Sequence, residues 1–461
     1  MGPKMIKNAI ASEKLSIKEV IRLIDQSGLR VAYIIDKDKK LLGVVSDSEI
    51  RKAILKGNDV KEPVSRILNM DPVVLREEDL SNKDLVIRTI KKMKEKMADS
   101  RHILILDNNN RPLRMENLSD LVMNNGKKKK DHSNFGKRVL VVGGAGYLGS
   151  VLVRQLLVKG FKVRVLDLLM YGVGPIKELL ENKRFELIEG DMRNISNLVS
   201  ALNGVDAVIN LAAIVGDPAC NNKPEDAIET NFLANKALAE ACKYNQVNRF
   251  IYASTCSVYG SMEKEQALDE NSPLNPVSLY ARSKIQAEEG ILVLEDENFS
   301  PTILRMSTLY GHSPRMRFDL VVNTMTKTAV VDKKICVHGG GSQWRPLLNV
   351  EDAARAYIRV LEAPLSKVKG QIFNVGSSEL NHRIIDIAKL VNRCIPEAEM
   401  AFVGETSDAR NYLVSFSKIE GILEYKAKMG LIESIRKIKK AIENGENSDV
   451  NNPKYYNVEF K

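Results

Sequence analysis

The stretch Arg138-Val139-Leu140-Val141-Val142-Gly143-Gly144-Ala145-Gly146-Tyr147-Leu148-Gly149 constrains this chain more than any other. A β-branched apolar run meets a glycine cluster, and an amphipathic segment follows from Ser150 to Lys159. The pattern predicts a strand, a tight turn and a helix. Gly143 permits the sharp turn, Gly146 lets a diphosphate approach the backbone, and Gly149 lets helix and strand pack closely. The helix N-terminus then points free N–H groups at the phosphates. The next strand, from Lys162, ends in Asp167, 18 residues after Gly149, which suits an acceptor for a ribose 2′-hydroxyl.

The 461 residues exceed one ordinary core and imply two or three domains. Hydrophobic content of 44% and charged content of 28% are those of a soluble globular chain. No apolar run is long enough to span a bilayer, and the N-terminus lacks the apolar segment of a secretion signal. Neither membrane insertion nor export is therefore expected. The five cysteines (220, 242, 256, 336 and 394) have no metal-like spacing and read as free thiols in a reducing cytoplasm. A net charge of +10 raises a nucleic-acid hypothesis. The densest cluster, Lys127 to Lys130, falls in a polar linker, and aromatic residues are only 5%, few for base stacking. No nucleic-acid partner is expected; the basic charge suits an anionic substrate instead.

Residues 1–123 form a separate pattern. A helix is expected from Ser16 to Gly28, then a hairpin of Val31–Ile35 and Leu41–Val45, then a helix from Asp47 to Lys56. The order returns more loosely, with a helix at Ser81–Lys96, a strand at His102–Leu106 and a helix near Leu118–Met123. Residues 124–136 read as a flexible linker. The repeat resembles a tandem pair of CBS domains, through Tyr33-Ile34-Ile35-Asp36, Leu42-Gly43-Val44-Val45-Ser46-Asp47-Ser48-Glu49 and Leu68-Asn69-Met70-Asp71-Pro72. The resemblance implies an adenine nucleotide, AMP or ATP, between the repeats, held by a hydroxyl and an Asp three residues on. The first copy has Ser46 but Glu49; the second has Asp120 but Asn117 for the hydroxyl and Arg114 for glycine. A dimerisation module without ligand is the equal alternative.

From Lys137 strands and helices alternate, with strands expected at 138–142, 162–166, 185–189, 207–211, 249–254 and 301–306. That spacing implies a doubly wound parallel sheet. Asp191 ends the third strand and Asn210-Leu211-Ala212-Ala213 the fourth. The fifth leads into Ser254-Thr255-Cys256-Ser257-Val258-Tyr259-Gly260. A long helix then opens at Ser278-Leu279-Tyr280-Ala281-Arg282-Ser283-Lys284. Tyr280 and Lys284, four apart, share a helix face. A neighbouring ammonium lowers a phenol's pKa, so this tyrosine can take a proton from an alcohol as hydride leaves the same carbon.

In this order the motifs resemble the extended short-chain dehydrogenase/reductase family, in its nucleotide-sugar epimerase and dehydratase branch. The resemblance runs from about 137 to 440, with residues 137–443 taken as the catalytic domain and 444–461 as a polar, loose tail. It implies an α/β architecture: a Rossmann-type doubly wound parallel sheet with a small C-terminal α/β substrate-binding lobe, preceded by the α+β CBS-pair module. It implies Tyr280 as acid/base, Lys284 tuning it, and Thr255 as hydroxyl partner, with Ser254 second for that role. NAD would be held by Gly143, Gly146, Tyr147, Leu148, Gly149, Asp167, Asp191, Met192, Ala212, Ala213, Tyr280 and Lys284, and Asp167 would exclude NADP. A nucleotide sugar would meet Thr255, Cys256, Ser257, Arg315, Arg345 and Arg410; Arg345 and Arg410 suit a diphosphate. A homodimer is also implied.

In the family, dehydratases place carboxylates just after the Thr, and decarboxylases a Glu two positions on. Here Cys256 and Ser257 stand there. That favours an NAD-dependent nucleotide-sugar 4-epimerase, regulated through the CBS-like module. A dehydratase or dehydrogenase is the alternative, Asp217 being another candidate acid. A non-catalytic sensor of NAD and adenine nucleotide is the competing class.

Overall fold

The computed structural model describes residues 9–27, 31–96, 102–117, 137–261, 265–404, 408, 410–446 and 449–457. The helix expected at 118–123, Asp120 and the 124–136 linker lie outside the described residues. The chain divides into two compact units, Met1–Ser133 and Asn134–Lys461.

The first unit is a repeat in its topology. Strand Ile10–Ser12, helix Ile17–Ser27, strands Val31–Ile35 and Leu41–Ser46, and helix Asp47–Leu55 form the first copy. Strand Leu75–Arg76, helix Lys83–Lys96, and strands His102–Leu106 and Pro112–Asn117 form the second. In each copy the first two strands pair in parallel and the last two antiparallel. The sequence pattern showed the hairpin of the first copy but neither short leading strand, Ile10–Ser12 or Leu75–Arg76, nor Pro112–Asn117. The two leading strands carry too few residues for a period-two signal, and Pro112–Asn117 is polar or charged at Arg114, Glu116 and Asn117. Ile17, Val20 and Ile24 bury one face of their helix. Val31, Tyr33, Leu104, Leu106 and Met115 form a core shared by both copies.

The second unit is built on seven parallel strands, ordered in space 371–375, 300–306, 249–255, 207–210, 138–142, 162–167, 185–189. The six expected strands are present. The seventh, Gln371–Val375, was not anticipated as a strand; it pairs with Ser300–Met306 at the sheet edge. The strand order reverses direction between Arg138–Val142 and Ala207–Asn210. In open α/β sheets such a reversal opens a crevice at the carboxyl ends of the strands.

A second lobe follows. Strands Thr308–Tyr310, Trp344–Asn349 and Asn381–Arg383 make a small mixed sheet. Helices Val321–Val331, Ile384–Cys394 and Leu431–Glu443 enclose an apolar core of Val322, Met325, Ile387, Val391 and Ile435. Residues 449–457, expected to be part of a loose tail, are packed. Val450 and Tyr455 are buried. Tyr455 packs edge-on against Phe318 at 5.6 Å, and its carbonyl accepts from Phe318 N at 2.9 Å. Two apolar side chains suffice to fasten a segment whose average composition is polar. No helix among the described residues is long and apolar enough to cross a membrane.

Helix Leu279–Leu292 is capped by Ser278, whose hydroxyl accepts from Ala281 N. Its buried stripe runs Tyr280, Lys284, Glu288, Ile291, spaced for one helix face. Glu288 is fastened to the sheet: its carboxylate takes Arg305 Nη2 at 2.7 Å and Nε at 3.1 Å, and also the Ser254 hydroxyl. Both side chains of the ion pair are under 5% exposed. Removing one partner strands a buried charge, so Arg305→Met is expected to cost about 3–5 kcal/mol. The double variant Glu288→Leu/Arg305→Met should recover most of that loss, as read from denaturant unfolding midpoints.

Candidate active site

A cavity of about 910 Å³ opens at the sheet's carboxyl edge. Strand Arg138–Val142 delivers the chain to Gly143 at φ +81°, where a Cβ would stand 2.9 Å from Ala212 N. A side chain at Gly149 would collide with the Gly143 carbonyl. Both glycines are therefore dictated by backbone proximity. Helix Tyr147–Val158 starts at Gly146 with no side-chain cap. Its first-turn residues line the cavity, so its N-terminal N–H groups and dipole are available to an anion.

Asp167 accepts from Ala145 N and Leu169 N, both at 2.8 Å. Burial pushes its carboxyl up against those bonds. Asp191 is gripped by Arg193, through Nε at 2.9 Å and Nη2 at 2.7 Å. Burial would raise its pKa, but the guanidinium wins and holds it below the usual range. Arg193 also reaches Asp226 and Glu229. Gly143, Gly146, Tyr147, Leu148, Gly149, Asp167, Asp191, Met192, Ala212 and Ala213 all line this one cavity. The glycine cradle, the uncapped helix end and a carboxylate beside them fit a dinucleotide.

Thr255, Ser257, Tyr280 and Lys284 line the same cavity. Thr255 Oγ1 accepts from Ser257 N at 3.1 Å, which caps the turn Cys256–Tyr259. Lys284 Nζ donates to the Ala253 carbonyl at 2.8 Å and lies 4.7 Å from the Tyr252 ring centroid. Burial brings its pKa down to about 8. The expected lowering of the Tyr280 pKa by Lys284 does not appear. Burial, with Cys220 and Asp217 nearby, raises it, and Arg317 and a hydrogen bond with Thr255 oppose this only in part. The ammonium lies 5.9 Å from the Tyr280 ring and is already occupied, so desolvation dominates.

Two candidates have side chains committed elsewhere. The Cys256 thiol, fully buried, donates to the Arg305 carbonyl at 3.2 Å and belongs to the sheet core. The alternation of a chain leaving a strand points it inward between its cavity-facing neighbours Thr255 and Ser257. Ser254 lines the cavity wall, but its hydroxyl is committed to Glu288. Arg345 and Arg410 do reach the cavity, joined through Asp408, which each meets at 2.7 Å. Burial works against ionisation of Asp408, yet Arg410 and Arg345 hold it well below the carboxylate range. Arg410 Nη1 lies 3.6 Å from Asp217. Arg315 also lines the cavity, stacked 3.6 Å over the Tyr171 ring.

Sequence reasoning missed several residues here. Arg317 and Asp319 form a half-buried bidentate pair two residues apart, beside the Arg315 it did select. Asn231 lies in a π-helical turn, Glu229–Leu233, and binds both backbone groups of Ile214, at 2.8 and 2.9 Å, and the Ser283 hydroxyl. It positions the loop between Ala213 and Asp217 against the Tyr280 helix. An asparagine buried in an otherwise helical run was the available signal.

The lowered Lys284 pKa has a sign in stability. Between pH 8 and 10.5 the unfolded chain keeps this proton and the folded chain sheds it. Unfolding free energy therefore rises with pH across that window. Relative to Lys284→Met, wild type should gain stability from pH 8 to 10.5, read as the difference in denaturation midpoints.

Comparison with known proteins agrees with this geometry. Residues 139–376 match the model of the NAD dependent epimerase/dehydratase family. Residues 5–56 match the CBS domain model. The chain is 33% identical over 253 residues to an uncharacterized UDP-glucose epimerase, YtcB, of Bacillus subtilis, covering 52% of this chain and 77% of that protein. It is 29% identical to the human dTDP-D-glucose 4,6-dehydratase, covering 66% and 89%. Among solved structures, UDP-glucuronic acid 4-epimerase from Bacillus cereus, in complex with UDP-glucuronic acid and NAD, superposes with a TM-score of 0.60. The identity there is 27%, over 67% of this chain and 99% of that one. A dinucleotide cradle, a Tyr–Lys helix and a family match over half the chain lead to one conclusion: this protein is an enzyme of the NAD dependent epimerase/dehydratase family, with a CBS domain at the start of the chain.

Proposed function

We propose that the chain epimerises a nucleotide sugar at C4. When bound, NAD supplies a reversible hydride acceptor. Tyr280 takes the proton of the sugar hydroxyl and returns it to the opposite epimer. Thr255, which lines the same cavity as Tyr280, holds the reacting oxygen. Lys284, anchored on the Ala253 carbonyl, orients the helix face that carries the phenol. Arg345 and Arg410, joined by Asp408, bring two guanidinium groups to the cavity for a diphosphate, which would compete with Asp408 for them.

The observation that carries this reading is the pair after Thr255. Cys256 is buried in the core, and Ser257, in the cavity, lies 3.3 Å from Tyr412 Oη. Neither offers the carboxylate that removal of a C5 proton would use. A second reading, 4,6-dehydration, is favoured by Asp217. It lines the cavity, and its Oδ1 is buried without a hydrogen-bond partner among the described residues. The similar relatives include enzymes of both kinds.

Proton NMR with a panel of UDP-, GDP-, CDP- and dTDP-hexoses plus NAD separates them. A new anomeric signal without NADH accumulation is the expected result. Loss of the C6 hydroxyl, abolished by Asp217→Asn, would establish dehydration instead. Tyr280→Phe should lower turnover by about 10²-fold or more while NAD still binds; full activity in that variant removes Tyr280 from the reaction.

The CBS module supports a regulatory reading, with AMP or ATP between the repeats and a homodimer as the working form. Ser46 offers its hydroxyl at the N-terminus of helix Asp47–Leu55, but in a capping box with Glu49. A nucleotide must displace that carboxylate, which predicts weak binding. Titration of the full chain with AMP and ATP should shift the melting temperature and change the kinetics together; no shift in either leaves the module without a ligand role.

A further inference from the structure

Five arginines line the cavity besides those of the outer surface: 193, 315, 317, 345 and 410. Four of them have carboxylate partners: Arg193 with Asp191, Arg317 with Asp319, and Arg345 and Arg410 with Asp408. Arg315 has none among the described residues. It is 3% exposed, and its Nε is buried without a hydrogen-bond partner. Nη2 donates to Asn457 Oδ1 at 2.6 Å, and the guanidinium plane lies on Tyr171. A neutral amide and an aromatic face orient a cation without cancelling its charge. Burial accordingly brings its pKa down to about 10, with the nearby Arg317 contributing.

The surroundings of Arg315 belong to the cofactor half of the cavity. Ser313, two residues earlier, donates to the Tyr147 carbonyl at 2.7 Å and lies 3.2 Å from the Ser150 hydroxyl. Tyr147 Oη in turn donates to the Gly311 carbonyl at 2.7 Å. The segment 311–315 is thus stitched to the first turn of the helix after the glycine cradle. Tyr171, under the guanidinium, follows Asp167 by four residues, and its hydroxyl shares Asn457 Oδ1 at 3.0 Å.

We propose that Arg315 is a ligand of the NAD diphosphate, contributed by the second lobe, rather than a substrate-binding residue. Tyr171 and Asn457 hold its plane. The helix N-terminus and the guanidinium then flank the same dianion from different elements, and the cofactor itself bridges the lobes. The inference rests on the family's use of NAD, not on the choice between epimerisation and dehydration.

Calorimetry on the purified full chain tests it, with NAD, ADP-ribose, adenosine, and the nucleoside diphosphates of the sugar panel as probes. Arg315→Gln is expected to weaken NAD and ADP-ribose about tenfold or more. Adenosine, which lacks phosphate, and UDP, GDP, CDP and dTDP should be unaffected. Arg315→Lys keeps the charge but loses the plane and should fall between; it carries the test if the Gln variant does not fold. Weakening confined to the nucleoside diphosphates would return Arg315 to the substrate, and unchanged binding of every probe would reduce it to a structural brace. Either overturns the proposal. Failure of wild type to bind NAD would instead strike the cofactor reading itself.

Discussion

The buried pair Glu288–Arg305 is the constraint on which the site depends. A helix lying across a parallel sheet can slide and rotate, because apolar contacts are not directional. Two partners of Glu288 remove that freedom. Its carboxylate is held by the fork of Arg305 from one strand and by the hydroxyl of Ser254 from the next. Arg305 is held in turn by Tyr259 Oη at 3.1 Å, and Tyr259 by Asn374 at 2.8 Å, on the edge strand. Since Tyr280, Lys284 and Glu288 form one stripe, fixing the last fixes the rotation of the first two. Replacing the pair with apolar residues would keep the burial but remove the directional bonds that hold this rotation. The pair therefore sets geometry more than it adds stability.

The cavity's other charges follow one rule. Each arginine that meets it is matched within the protein, except Arg315. The matched forks are fixed in orientation by their carboxylates, which also occupy N–H groups that an incoming phosphate would use. Neutralised forks attract an anion over distance only weakly; the unmatched Arg315 and the uncapped helix end supply the field. The same low-dielectric surroundings explain the two titratable groups at the centre. Desolvation pushes the Tyr280 phenol up and the Lys284 ammonium down, each toward its neutral form. Burial moves both groups in that direction, and a charged ligand beside them would change the balance for each.

Much of this was legible in the residues. The glycine spacing gave the cradle because backbone collisions leave no alternative at Gly143 and Gly149. Six strands could be read because buried parallel strands are continuous apolar runs. The Tyr280–Lys284 spacing needed only helical periodicity. The seventh strand escaped because Gln371-Ile372-Phe373-Asn374-Val375 mixes polar and apolar residues, as an edge strand does. Cys256 was misplaced because its neighbours on both sides do face the cavity. The role of the segment near Asn457 was invisible, since its partners Arg315 and Tyr171 lie 142 and 286 residues away. Composition describes such a tail as loose; only tertiary contacts show otherwise.

The electrostatics were the least legible part, for a physical reason. Placing Lys four residues from Tyr predicts attraction between an ammonium and a phenolate, and in water that would be the whole account. Inside the protein the ammonium finds a nearer acceptor in the Ala253 carbonyl and an aromatic face in Tyr252. Both charged forms then lose more hydration than their contacts restore. Spacing can tell which groups share a face, but not which of them remains hydrated. That second property decides the protonation state, and it comes from the strands packed beneath the helix rather than from the helix's own sequence.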